Sequence, residues 1–313
     1  MPRLPVACAL DCDPGHDDAI ALLLALGNAH IDLRAVTTVA GNGPLDRVTD
    51  NARRVLTLAG ATAMPLAAGA DGPLGGALVT APEIHGESAL DGAELPEPVV
   101  PLDPRPAGSL LAATAEAAAP LTLIATGPLT NVALALEASP ALAGGLREIV
   151  WMGGSTERGN VTPAAEFNAW VDPDAVDRVL ASGVPFTMVG LNLTHQALAT
   201  PEVRERLAGV GGAVSDAVAG WLAFFSRSYE TVHGLAAPPV HDPCAVALVA
   251  DPAVMTCVDA FVAVELDGRW TRGATVVDLR GGLGRPANAR VALELDVERF
   301  WNLVVDGVSS LGR

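Results

Sequence analysis

The 313-residue chain contains no lysine: its 19 basic residues are all arginine, set against 36 acidic ones for a formal charge of −17. A surface this acidic repels phosphate backbones and anionic lipid, so nucleic acid and membrane surfaces are excluded as expected partners. A neutral or cationic ligand, or a metal ion, is favoured instead. Aromatic residues are also scarce, at 4%, while half of all residues are apolar. The core must then be built mainly from Ala, Val and Leu, the mixture expected of parallel strands covered by helices. The four cysteines, Cys8, Cys12, Cys244 and Cys257, include no CxxC pair, which suggests neither a zinc site nor a disulfide framework and makes them small buried residues. No apolar run approaches the roughly 20 residues of a spanning helix. The opening segment Pro2–Leu10 is too short and too soon followed by charge to serve as a signal peptide, so the expected location is cytoplasmic.

Short apolar runs alternate with helical patterns in the first half. Val6–Leu10 and Leu33–Val39 read as strands, and Asp18–Leu26 and Leu45–Ala59 as helices, a βαβα order that implies a parallel sheet with right-handed crossovers. The rhythm resumes with strands Leu121–Ala125 and Glu148–Met152 around a helix Leu129–Ala138. A further helix follows, with Asp172 as N-cap, Pro173 in its first turn and Gly183 at its end, and then a strand Phe186–Val189. Two stretches break the pattern, Ala70–Pro106 and Gly153–Val171, and long irregular insertions in compact domains usually carry function. A helix Ala213–Ser228 leads into a third irregular piece, Tyr229–Val240. Ala260–Leu266 and Ala274–Leu279 form an expected antiparallel pair around Asp267-Gly268, before a strand Arg290–Leu295 and a last helix Val297–Val308. With no internal repeat and no linker, the fold class is a single α/β domain: a mostly parallel sheet flanked by helices, with a small antiparallel extension near the C-terminus.

The most informative segment is Asp11-Cys12-Asp13-Pro14-Gly15-His16-Asp17-Asp18, at the end of the first strand, where open α/β sheets bind ligands. Four carboxylates in eight residues repel one another and call for a positive partner. Oxygen ligands without a nearby thiol favour Ca²⁺ or Mg²⁺, and the number of carboxylates favours Ca²⁺. The spacing is not that of an EF-hand. A capped helix with a solvated acidic turn is the plain alternative, and a DxD after a first strand also fits a Mg²⁺ phosphatase with an aspartyl nucleophile.

Asp13-Pro14-Gly15-His16-Asp17-Asp18-Ala19 resembles the amino-terminal signature of the inosine-uridine nucleoside hydrolases. Further matches follow in order: Thr38-Val39-Ala40-Gly41-Asn42, His85-Gly86-Glu87-Ser88, Thr126-Gly127-Pro128-Leu129-Thr130-Asn131, Glu166-Phe167-Asn168 and His241-Asp242-Pro243. Beyond about residue 250 the match is only one of general pattern. The resemblance implies a Rossmann-like sheet with Ca²⁺ held by the carboxylates of Asp13, Asp18 and Asp242 and the backbone carbonyl of Thr126. It places Asp17 on the ribose hydroxyls, His241 near the base, His85 and Tyr229 in flaps over it, and implies a homodimer or homotetramer.

Breaking an N-ribosidic bond builds positive charge on the sugar and negative charge on the departing base. Asp13, beside a calcium-bound water, is the expected general base, and His241 the expected acid for the leaving base. Asn42, Asn160, Glu166 and Asn168 are the short or carboxylate groups suited to gripping ribose hydroxyls. Phe224 and Phe225, a turn before Tyr229, are expected either beside the base or in the core, and His16, His30, His195 and His233 are read as structural. The phosphatase reading lacks a basic residue near the octet. A non-catalytic calcium- or ribose-binding protein of the same fold would need neither Asp13 nor His241, and both are present.

Overall fold

Along Val6–Cys12, the side chains of Val6, Cys8, Leu10 and Cys12 enter one core cluster while Ala9 enters another. This two-residue period, apolar on both faces, is that of a strand covered on both sides. The computed structural model describes residues 4–312, so Pro2 and Arg3 of the opening segment lie outside the described residues. It contains β1 (Val6–Cys12), β2 (Ile31–Thr38), β3 (Leu66–Ala68), β4 (Leu121–Ala125), β5 (Leu146–Met152), β6 (Phe186–Val189), β7 (Met255–Val264), β8 (Thr275–Asp278) and β9 (Ala289–Leu295). They form one nine-stranded sheet in the order β3-β2-β1-β4-β5-β6-β9-β7-β8.

Strand pairing is parallel from β3 through β9, and β7 runs antiparallel to both β9 and β8. The molecule is thus a single α/β domain with a small antiparallel edge. Leu10 of β1 lies opposite Val36 of β2 on one side and Ile124 of β4 on the other. The chain winds outward from β1 in one direction and from β4 in the other, and a crevice opens at their carboxyl ends where the order reverses. The octet after β1 and Thr126 after β4 both sit at this crevice.

Most expected elements are present with shifted ends. The helix read as Asp18–Leu26 spans His16–Gly27, and the helix after Asp172 spans Pro173–Ala181, with the Asp172 carboxylate accepting the Ala175 N–H. The largest correction concerns Tyr229: the helix begun at Ala213 continues to His233, so Tyr229 lies on regular helix. Nothing between Ser228 and His233 breaks a helix, and Gly234, left-handed at φ 69°, ends it. Likewise His85 closes a one-turn helix, Pro82–His85, and Phe167–Val171 is a short helix inside the expected loop. The antiparallel pair is β7 with β8, and β7 starts five residues before the expected Ala260. Of the cysteines, Cys8, Cys12 and Cys244 are buried as expected, whereas Cys257 is partly exposed. Among the described residues, no helix is long and apolar enough to cross a membrane.

Candidate active site

The turn after β1 delivers its carboxylates to one point because the helix that follows starts there. Asp18, at its third position, reaches back to accept the Gly15 N–H at 3.1 Å and closes the first turn. The Asn42 amide donates to the same oxygen at 3.0 Å, while the other oxygen accepts the Asp13 N–H at 3.2 Å and the Thr126 hydroxyl at 2.8 Å. Oxygens of Asp17, Asp18 and Asp242 all lie within 4.8 Å of one another, and all three residues are buried. Burial, reinforced by neighbouring carboxylates, pushes Asp13 and Asp242 well up from the usual carboxylate range and Asp17 up to about 7. Without a cation such a group must hold extra protons or repel itself, so three clustered carboxylates fit a shared metal ion.

Asp13 is fully buried beside this group. Its Oδ2 accepts the Asn42 N–H at 2.7 Å, while Oδ1 has no protein partner. Glycines wall it in. A Cβ on Gly41 would stand 2.1 Å from Oδ2, and one on Gly127 would stand 2.6 Å from Oδ1. A buried, unpartnered carboxylate oxygen is costly unless something not of the protein meets it. The group therefore suits an oxygen-seeking cation and its water, which would meet the bare Asp13 Oδ1.

Over the carboxylates lies a cavity of about 240 Å³ lined by Asp17, Thr126 and Asp242 on one side and by Phe225, Tyr229 and His241 on another. Both ring nitrogens of His241 are engaged: Nδ1 with the Thr194 hydroxyl at 2.7 Å and Nε2 with the Tyr229 hydroxyl at 2.8 Å. Its backbone N–H donates to Asp17. Burial, helped by His195 and His233, pulls the His241 imidazole down to about 3, so the ring is neutral. Tyr229 also shares the cavity wall with Phe225, whose ring meets it edge-on at 4.7 Å. No arginine lines the cavity among the described residues.

These features were compared with known proteins. The family model described as inosine-uridine preferring nucleoside hydrolase matches residues 8–302. The chain belongs to that family, and it is an enzyme of the nucleoside hydrolase class. It is 44% identical over 299 residues to the pyrimidine-specific ribonucleoside hydrolase RihA of Escherichia coli O9:H4 (strain HS), covering 95% of this chain and 96% of that one. Among solved structures, the purine-preferring ribonucleoside hydrolase from Gardnerella vaginalis superposes with a TM-score of 0.91 at 30% identity, covering 98% and 99% of the two chains. An inosine-guanosine nucleoside hydrolase gives 0.87 at 30% identity, covering 96% and 98%.

Ten of the twelve site residues expected from the sequence line the cavity, and the other two, Asp13 and Asp18, are joined to each other by a hydrogen bond next to it. Glu166, Asn168 and Asn160 are among those also engaged within the protein. Glu166 uses its carboxylate to cap the helix Phe167–Val171, accepting N–H bonds from Gly154, Asn168 and Ala169, while burial still pushes it up to about 7. The Asn168 amide donates to the Thr126 and Met152 carbonyls. The Asn160 side-chain oxygen accepts the Phe167 N–H. Residues that sequence reasoning missed include Thr194, His233, Val161 and Met152, of which the last three line the cavity. His233, read as structural, stands with its ring 5.0 Å from Tyr229. It was discoverable only by continuing the helix through Tyr229, which puts residues 229 and 233 on one face.

Proposed function

We propose that the chain hydrolyses the N-glycosidic bond of ribonucleosides to ribose and free base, with a Ca²⁺ ion held by Asp13, Asp18, Asp242 and the Thr126 carbonyl. The observation that carries this reading is the buried cluster of Asp17, Asp18 and Asp242 at the β1/β4 crevice, two of which line the cavity, with Asp13 and its unpartnered Oδ1 next to Asp18. When bound there, the cation supplies a positive charge that grips ribose hydroxyls and makes a water easier to deprotonate. Asp13 takes the proton of the attacking water at Oδ1, its Oδ2 being fixed by Asn42. Asp17, which unlike Asp13 and Asp18 faces the cavity, meets the ribose hydroxyls together with Asn42, Asn160, Glu166 and Asn168. These short side chains hold the sugar and exclude water from the bond being broken.

In each turnover His241 takes up a proton from solvent, passes it through the Tyr229 hydroxyl to the leaving base and returns to its neutral form, while His85, Phe225 and Tyr229 enclose that base. The 44% identity to a pyrimidine-specific ribonucleoside hydrolase makes uridine and cytidine the first substrates to offer, with inosine, guanosine and adenosine for comparison. The decisive measurement is free ribose from this panel, by a reducing-sugar assay without phosphate, in the presence of calcium. Ribose from any member supports the reading. None from all five, with folded calcium-loaded protein, would overturn it in favour of a ribose-binding protein.

A further inference from the structure

Trp151 lies near the end of β5, paired across the sheet with Ala125, the last residue of β4. Its ring is fully buried in the core cluster that also holds Ile149, Phe186 and Met188, with the Phe186 ring 5.9 Å away, and it lies outside the cavity lining. The chain makes room for it: a Cβ on Gly153 would stand 2.0 Å from the ring. Indole has one polar group, an N–H that can only donate. In Trp151 this group reaches past the end of β4 and donates to the Gly127 carbonyl at 3.1 Å. Two other buried tryptophans, Trp221 and Trp301, leave the same group without a partner, so burial of an indole in this fold does not by itself oblige such a bond.

The turn that receives this bond, Thr126-Gly127-Pro128, is the one that meets Asp13 and Asp18. Thr126 is tied at three points: its N–H donates to the Asp11 carbonyl at 2.9 Å, its hydroxyl donates to Asp18 at 2.8 Å, and its carbonyl accepts the Asn168 amide at 2.8 Å. Gly127 then passes so close to Asp13 that a Cβ would stand 2.6 Å from Oδ1 and 2.9 Å from Val39. A side chain is therefore forbidden at the position where the backbone most needs holding, and glycine left to itself is the freest residue of all. Fixing its carbonyl removes that freedom, because each peptide is a rigid plane and the Gly127 carbonyl sets the tilt available to the Thr126–Gly127 plane before it. Of the side chains bonded to Thr126 and Gly127, Asp18 belongs to the carboxylate cluster and Asn168 lines the cavity, whereas Trp151 holds the turn from the core.

We propose that Trp151 is a positioning residue for the cation: by holding the Gly127 carbonyl, its N–H keeps the turn in the one arrangement that presents the Thr126 carbonyl and Asp13 Oδ1 together. Trp151 touches neither cation nor nucleoside. A ring that merely fills the core would need its shape and not its N–H, and the two roles separate on that point. The inference rests on the calcium assignment of the proposed function, and its readout is ion binding, which needs no substrate.

The test is calorimetric titration of calcium into the full-length, chelator-stripped protein, wild type against Trp151→3-benzothienylalanine, which keeps the bicyclic ring and puts sulfur where the N–H was. Calcium affinity should weaken by about tenfold, the lower end of what groups bonded behind metal ligands contribute. The same replacement at Trp301, whose N–H has no partner, should leave affinity unchanged. Affinity of the Trp151 variant within about twofold of wild type, less than a typical lost hydrogen bond, would overturn the proposal. Equal weakening at both positions would overturn it too, by showing that the site responds to any loss in the core. Wild-type protein supplies a second measurement that does not depend on a variant folding. In ¹H–¹⁵N spectra of tryptophan-labelled protein, the Trp151 indole N–H, identified by its contacts with Phe186, should shift on saturation with calcium while that of Trp301 stays in place. A Trp151 signal that does not move sinks the idea. If wild-type protein binds no calcium, the cation assignment of the proposed function fails and this inference falls with it; binding that the Trp151 variant leaves unchanged overturns this inference alone.

Discussion

Asp13 shows how a residue can be legible in sequence as a type and illegible as a position. The octet announces a carboxylate at this point, but the features that suit it to the proposed role of base are one oxygen fixed by Asn42 beside Gly41 and the other left without a partner beside Gly127. Replacing Asp13 by Asn should lower ribose release by about 10²–10⁴-fold, the usual range for loss of a general base, with an unchanged circular dichroism spectrum. Activity within severalfold of wild type would remove Asp13 from that role. Gly127→Ala makes the same point from outside the motif chemistry. Its Cβ would press on Asp13 Oδ1 and on Val39, so turnover should drop sharply although no catalytic group has been removed. At the other end of the reaction, His241→Ala and Tyr229→Phe remove neighbours in one chain of hydrogen bonds. Each should slow nucleoside hydrolysis far more than hydrolysis of p-nitrophenyl riboside, whose leaving group needs no proton. The double variant should be little worse than the more damaging single one, because the two act as a unit. Additive losses would mean that they act separately.

Elements bring these residues together, and the sequence displays those elements unevenly. Strands β1, β4 and β6 and the flanking helices stood out because their apolar periods are clean. The three-residue β3 and the Ala-rich helix Ala107–Ala118 did not, since alanine satisfies either period and three residues define none. The helix expected to stop at Ser228 runs on to His233, where Gly234, a glycine present in the sequence, closes it. The short helix Phe167–Val171 shows what such an element contributes. Glu166 caps it with its carboxylate and thereby fixes Asn168, whose amide holds the Thr126 carbonyl. Glu166→Ala should cost about 0.5–2 kcal/mol in urea denaturation through the lost cap, and should raise KM for nucleosides as Asn168 loosens. Unchanged stability would show that the cap contributes little.

Across the whole molecule, the dominant tension is between burial and negative charge. Burial raises Asp11 from 3.8 to about 7 and Glu166 from 4.5 to about 7, and it raises Asp13, Asp18 and Asp242 in the same direction. A carboxylate whose folded value lies above its unfolded one binds its proton more tightly in the native state. Its contribution to stability is full below about pH 4 and is lost as the pH rises through about 7. The buried neutral His16 and His241, lowered to about 4 and about 3, act in the opposite sense, favouring the fold above about pH 6.5 and losing that as pH falls. Calcium should counter only the carboxylate effect. Melting temperatures measured from pH 4 to 8 with chelator and with calcium should therefore diverge as pH rises, and the gap isolates the site from the histidines. Curves that stay parallel, or coincide, would mean that no cation is held by these carboxylates.

By itself the sequence determined the α/β class, the parallel sheet and the identity of nearly every group at the crevice, because periodicity and short motifs are local properties written in neighbouring residues. It did not determine which of the four octet carboxylates face one another, that Asp13 keeps an oxygen free, that His241 is held by Thr194 and Tyr229, or that His16 reaches His85. Those relations join residues tens to hundreds of positions apart. They exist only once β1 and β4 lie side by side and the helix Ala213–His233 packs across their ends, since hydrogen-bond distances between remote side chains are set by the packing of whole elements.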